Sequence, residues 1–296
     1  MPIQPERVSF ASGADTCAGL LYKASGKRGP VIVLCHGLGA TMDMRLDAFA
    51  ERFADAGYHA LAFDYRSFGE STGTPRRIID MAAQRSDIGA AVKYVRSLPF
   101  VDPVRVGLFG TSFGGGHVIQ VAAADHSIAA VISQCPFTSG YQSAFTVGLR
   151  VLPIVVARSF YDTFFARRDS PVRVNLLGHP GDIALMNAPD VVDSALKLIP
   201  EGTPEENNAV GARIALEIVR SFPGRHARNV QCPILFAICG NDTVAPPGAS
   251  IGYAKQAPKG VIKVYEGVGH FSVYLGEPFE RATTDYVEFL RNAMPL

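Results

Sequence analysis

Residues 110–114 read Gly-Thr-Ser-Phe-Gly, a serine with glycines two places before and two places after it. A serine hydroxyl is a weak nucleophile at neutral pH. It becomes useful when a histidine can take its proton and a carboxylate holds that histidine in place. The run before the motif, Val104 to Phe109, is expected to be a buried strand, and Phe113 to Ala124 a helix. A turn that sharp strains the backbone at Ser112 and crowds its neighbours; glycine removes the Cβ atoms that would clash. The turn also pushes the serine oxygen out at a helix N-terminus, where partial positive charge favours a developing negative charge. Outside that context the five residues would be a glycine-rich turn with an N-capping serine. They are not a phosphate loop, because no Lys-Ser or Lys-Thr follows the glycines.

In this strand–turn–helix pattern the acid and then the base arrive later in the chain, each after a strand. The strand Ile234–Ile238 runs into Cys-Gly-Asn-Asp-Thr-Val, which makes Asp242 the expected acid; its bland alternative is a turn aspartate. The strand Val261–Tyr265 runs into Glu-Gly-Val-Gly-His-Phe, which makes His270 the expected base against the alternative of a buried structural histidine. Glu266 and Asp64 are held as reserve acids. The other histidines precede the elbow, lie inside its helix, or fall in connections. An oxyanion needs backbone N–H groups already aimed at it. Phe113, just after the nucleophile, is one expected donor. Leu38, in the loop Cys35-His36-Gly37-Leu38-Gly39 after an early strand, is the other. His36 is expected to stabilise that turn and can brace the loop without taking part in the chemistry.

These residues need a frame that delivers loops to one edge. Apolar β-branched runs alternate with helical patterns along most of the chain: strands at Val31–Leu34, His59–Phe63 and Ile128–Ser133, and helices at Leu46–Ala54, Ile78–Leu98, Ile251–Gln256 and Phe279–Ala293. Such alternation implies a parallel sheet covered on both faces. Residues 140–228 break the rhythm, with aromatic clusters, Asn/Asp/Pro punctuation and one helix-like stretch from Glu205 to Val219. They are expected to form a helical cap, leaving residues 1–139 and 229–296 as the core. Hydrophobic residues make up 48% of the 296, enough for one large domain, and 28 basic against 27 acidic residues offer no electrostatic case for nucleic acid or a membrane surface. The opening residues carry no basic-then-apolar export pattern, and the five cysteines show no CxxC spacing, so free thiols in the cytoplasm are expected.

The motifs HGLG, GTSFGG, GNDTV and GVGH, with FDYRSFGES at residues 63–71, together resemble the α/β-hydrolase superfamily over nearly the whole chain outside the cap. That resemblance implies an α/β fold with a mostly parallel eight-stranded sheet flanked by helices and a helical cap inserted after the sixth strand. It also implies that Asp64 and Arg66 anchor a loop rather than react. Within the superfamily, FDYRSFGES, GTSFGGGH and CPFTSG are similar to bacterial hydrolases grouped with fungal polyketide transferases. Three departures narrow it. Haloalkane dehalogenases and epoxide hydrolases have an aspartate where Ser112 stands, dienelactone hydrolases have a cysteine, and HGLG replaces the short lipase HGGG.

Phe137, Tyr141 and Phe145 open an aromatic and aliphatic stretch and are the expected contacts of a hydrophobic acyl pocket, although such residues often only pack a cap onto a body. Arg150 and Arg158 could share a helix face toward an anionic substrate or be solvated; Cys35 and Cys135 read as core filler. The leading reading is a serine hydrolase that cleaves an ester or thioester of a small hydrophobic acyl substrate through an acyl-enzyme. It requires neither metal nor organic cofactor. Acyl transfer and a non-catalytic binding protein on the same scaffold are the rivals, and a homodimer is kept as an alternative to a monomer.

Overall fold

The computed structural model describes residues 3–25 and 28–296; Met1, Pro2, Gly26 and Lys27, which fall within the core segment 1–139 read above, lie outside the described residues. The chain opens with a hairpin, β1 (Glu6–Ser12) and β2 (Asp15–Tyr22), closed by a tight turn that pairs Ser12 with Asp15. Then β3 (Gly29–Cys35), α1 (Leu46–Asp55), β4 (His59–Phe63), α2 (Met81–Arg96), β5 (Val101–Thr111), α3 (Phe113–Ala124) and β6 (Ala130–Gln134) alternate as the apolar runs anticipate. After residue 228 the alternation resumes with β10 (Ile234–Cys239), α8 (Pro247–Ala254), β11 (Gly260–Tyr265) and α9 (Gly276–Ala293).

Eight strands form one sheet in the order β1-β2-β4-β3-β5-β6-β10-β11. Only the pairings of β2 with β1 and β4 are antiparallel; the rest are parallel. Side chains alternate across a strand, so β3 feeds two cores at once. Val31 and Val33 pack with Ile88, Val92 and Val118 of α2 and α3, while Ile32 and Leu34 pack with Phe49, Phe53 and Tyr286 of α1 and α9. The apolar stripe of α1, at residues 46, 49, 50, 53 and 54, follows the spacing that turns one helical face inward. Helix α2 starts at Met81 rather than Ile78 because the Asp80 side chain caps it, accepting the Ala83 N–H at 2.9 Å.

Between β6 and β10 lie α4 (Gly140–Phe145), α5 (Leu152–Phe164), β7 (Arg173–Leu177), β8 (Ala184–Met186), α6 (Val191–Ala195), β9 (Ala209–Gly211) and α7 (Ile214–Arg220). The expectation of an all-helical insertion is corrected here: β8, β7 and β9 form a second, three-stranded sheet. In β7 buried Val174 and Leu176 alternate with exposed Arg173 and Asn175, a period-two pattern too short to stand out. The helix expected over Glu205–Val219 is likewise corrected, since its first half is a short 3₁₀ turn and β9. A buried ion pair, Arg213 Nε to Asp162 Oδ2 at 2.9 Å, ties the start of α7 to the end of α5. All five cysteines are free. No helix among the described residues is long and apolar enough to cross a membrane.

Candidate active site

The turns that follow β5, β10 and β11 open at the same edge of the sheet. On the first, Ser112 takes φ 56° and ψ −117°, a positive φ that few non-glycine residues hold. It is fixed from two sides: the Ser112 N–H donates to Gln134 O at 2.9 Å, and Ser112 O accepts the Phe137 N–H at 2.9 Å. A Cβ on Gly114 would sit 2.4 Å from Cys35 O, and one on Gly110 would sit 2.3 Å from Gly114 O, so both glycines are needed for the helix to approach the sheet this closely.

The structure brings Ser112, His270 and Asp242 together. Ser112 Oγ lies 2.9 Å from His270 Nε2, and His270 Nδ1 lies 2.7 Å from Asp242 Oδ2. The other carboxylate oxygen of Asp242 accepts the N–H groups of Val244 and Ala245 at 2.9 and 2.7 Å, so the loop after β10 grips the acid while leaving one oxygen for the imidazole. Because Nδ1–H donates to Asp242 Oδ2, Nε2 of the neutral ring is left as an acceptor facing the serine. Burial alone would lower the His270 pKa, but the Asp242 carboxylate and the neighbouring Cys135 together outweigh it and hold that pKa well above 6.5.

Beneath the serine runs a buried polar chain that motif reading missed. Tyr286 donates to Gln134 Oε1 at 2.8 Å, Gln134 Nε2 donates to Thr111 Oγ1 at 2.9 Å, and Thr111 also bonds Tyr274. The position of Thr111 beside the nucleophile was the only sequence hint. Cys135, Cys239 and Asp242 bring possible metal-ligand atoms within 4.8 Å of one another, but Asp242 is already engaged by Val244, Ala245 and His270.

Leu38 and Phe113 both border the cavity into which Ser112 faces. Phe113 opens α3, and the first N–H groups of a helix have no partner inside it. Among the described residues the Leu38 N–H, too, has no acceptor. His36 braces this loop. Its Nε2 accepts the Tyr65 N–H at 3.4 Å, which leaves Nδ1 to donate to Gly37 O at 3.1 Å, and burial pulls its pKa down to about 4. Asp64 accepts the Met42 and Glu70 N–H groups at 2.8 and 3.0 Å, and Arg66 pairs with Asp87, so neither reaches the serine. Glu266 is exposed.

The cavity is small, about 60 Å³, and almost wholly apolar. Phe137 lines it. Tyr141 and Phe145 do not, which corrects their expected role: they are 55% and 49% exposed and stack edge-to-face on one another at 4.8 Å outside it. Helix α4 turns Ser143 and Ala144 to the cavity instead. Arg150 and Arg158 are exposed as well. The rest of the wall is Thr146, Val147, Leu152, Val155 and Val156 from α5 and the turn before it, Leu185 and Met186 from β8, Ala215, Ile218 and Val219 from α7, and Val244 and Ala245 from the loop holding Asp242. Arg77 joins this wall to the Leu38 loop, donating to Ala209 O of β9 at 2.8 Å and to Gly39 O at 3.2 Å.

A family model described as the alpha/beta hydrolase family matches residues 32–283. The chain is 43% identical over 301 residues to the quorum-quenching protein AidA of Acinetobacter baumannii, with 100% of this chain and 97% of that protein covered. It is 27% identical to the thiohydrolase aneE of Aspergillus aculeatus, over 93% of this chain and 89% of that one. The solved structure of DcsB in complex with its substrate analogue superposes with a TM-score of 0.85 at 24% identity, covering 98% of this chain and 100% of that chain.

Proposed function

From the premise that the chain belongs to the alpha/beta hydrolase family, we propose that it is a serine hydrolase that cleaves an ester or thioester of a small hydrophobic acyl group through an acyl-enzyme. Ser112 Oγ attacks the carbonyl carbon while His270 Nε2 takes the hydroxyl proton. Asp242 keeps the Nδ1 proton in place and stabilises the imidazolium as it forms. The carbonyl oxygen becomes an oxyanion held by the N–H groups of Leu38 and Phe113, reinforced by the α3 N-terminus. His270 then returns the proton to the departing alcohol or thiol. In the second half, water gives a proton to His270 and attacks the acyl carbon; Ser112 recovers the proton as the acid leaves. The residues 140–228 act as the cap whose inner wall seats the acyl chain.

One observation carries this reading: the unbroken 2.9 and 2.7 Å chain from Ser112 through His270 to Asp242, opening into an apolar cavity. The aneE relative, named a thiohydrolase, supports including thioesters. Acyl transfer to an alcohol is the second reading, favoured by a wall whose polar side chains are only Ser112, Ser143 and Thr146, since a dry site spares the acyl-enzyme from water. The test is a panel of p-nitrophenyl esters and N-acetylcysteamine thioesters of increasing chain length, assayed with and without added alcohol. Turnover with a burst of one leaving group per chain supports the acyl-enzyme. Turnover retained in Ser112→Ala overturns it, and ester product in place of free acid favours transfer.

A further inference from the structure

A second, larger cleft of about 820 Å³ lies outside the acyl site, and α7 is the wall between them. Ala215, Ile218 and Val219 face the acyl cavity, while Leu216, Glu217 and Arg220 face the cleft. The other borders are the start of α2, the end of α5 and the 3₁₀ turn Pro223–Asn229 with the residue before it.

The charges here do not cancel. Asp162 is consumed by Arg213, Asp80 caps α2, and Glu217 is the only other carboxylate on the cleft. Against these stand Arg85, Arg168, Arg220 and Arg225, and among the described residues none of the four forms an ion pair. Arg85 is the most telling. It is half-buried on α2; the Asp80 and Glu217 carboxylates act on it through space without pairing with it, and among the described residues its one side-chain hydrogen bond is to Gln120 Oε1, a neutral acceptor at 3.3 Å. A guanidinium withdrawn from water has lost hydration that a single amide oxygen does not replace. Arg225 sits over the Phe222 ring, its guanidinium carbon 4.2 Å from the ring centre, and no carboxylate among the described residues engages its N–H groups. The net charge of +1 over the whole chain conceals this concentration.

We propose that this cleft binds an organic phosphate, with Arg85 at its floor and Arg168, Arg220 and Arg225 around its rim. Several guanidinium forks on one cleft suit a phosphate dianion, and the volume suits a molecule rather than a lone ion. Two sources share this chemistry: the phosphorylated end of an acyl substrate's leaving group, or a free organic phosphate bound against the far side of α7. Only the first rests on the hydrolase reading above.

Titration calorimetry with inorganic pyrophosphate and with adenosine 3′,5′-bisphosphate tests the site without any turnover. Saturable binding is expected, weakened roughly tenfold or more by Arg85→Gln, the loss that goes with one charge-assisted contact. Arg85→Lys should weaken it less, and Arg168→Gln with Arg220→Gln should weaken it independently. Thermal melts confirm that each variant is folded. No saturable binding at millimolar ligand, or equal binding by all variants, overturns the proposal. Comparing a coenzyme A thioester with the N-acetylcysteamine thioester of the same acyl group then separates the sources. A rise in KM for the coenzyme A ester alone in Arg85→Gln identifies the leaving-group handle. Unchanged KM for both, with pyrophosphate binding still lost, identifies a free phosphate.

Discussion

The floor of the active site and the wall above it are held by different means. Ser112, Asp242 and His270 each sit just beyond a strand of the same sheet; Ser112 and Asp242 are fixed by bonds formed within a few residues or to the neighbouring strand, Ser112 to Gln134 and Asp242 to Val244 and Ala245, and His270 is held between the two. The wall has no such template. It is gathered from α4, α5, β8 and α7, and its stiffness comes from long-range ties, above all Asp162 with Arg213 and Arg77 with Ala209 and Gly39. In the floor, position is set by turn geometry. In the wall it is set by a few buried polar contacts, so the two regions should fail differently when mutated.

The largest effect belongs to the floor. Ser112→Ala should lower kcat on a p-nitrophenyl ester by about 10⁴-fold or more, with thermal stability unchanged or slightly raised because a strained position is relieved only if the backbone relaxes. A residual rate within tenfold of the parent would break the comparison at its centre. Asp242→Asn should cost about 10⁴-fold in kcat, and its pH profile carries more information. Protonated His270 cannot accept the serine proton, so kcat/KM should be absent at acid pH and rise on a limb centred above 6.5 in the parent enzyme, because Asp242 together with Cys135 outweighs burial and holds the imidazole pKa up. Without that carboxylate the balance shifts toward burial, and the limb should move to lower pH. A limb that stays in place would mean that another group controls it.

The wall should respond in stability and selectivity. Asp162→Ala leaves Arg213 without its partner and should cost about 3 kcal/mol in urea denaturation, the low end for a buried pair because Arg213 keeps 23% of its side chain exposed. Ala215→Leu, which fills the cavity from α7, should shift preference toward shorter acyl chains by roughly tenfold in kcat/KM ratio, measured across an ester series with kcat for acetate little changed. The smallest effect is expected from Tyr141→Ser with Phe145→Ser. Both side chains lie outside the cavity, so kcat/KM for short esters should stay within about twofold. A larger loss would put those rings back at the substrate.

The same contrast explains what the sequence revealed. Ser112, Asp242 and His270 were legible because each follows a buried strand within a few residues and the glycines mark the turns; the parallel sheet was legible from repeated apolar runs. Counting from His36-Gly37 picked out Leu38, which borders the cavity. The wall was legible only in part. Aromatic residues announce apolar surface without saying which way it turns, and much of a protein's exterior is apolar in any case. Tyr141 and Phe145 therefore read like Phe137, although α4 points them outward and turns Ser143 and Ala144 to the cavity. Leu185 and Met186 stand on a three-residue strand, too short for any period to show. Nothing local marks Arg77, whose partner Ala209 lies far along the chain.

The central claim is that Ser112 is a nucleophile activated by His270 and Asp242. Incubating the folded protein with a fluorophosphonate probe and mapping the adduct by peptide mass spectrometry tests it most directly. The expected result is one adduct per chain, on Ser112, formed much more slowly in His270→Ala. Folded protein that takes no label, or takes it at another residue, would contradict the account and favour a ligand-binding role for the same scaffold.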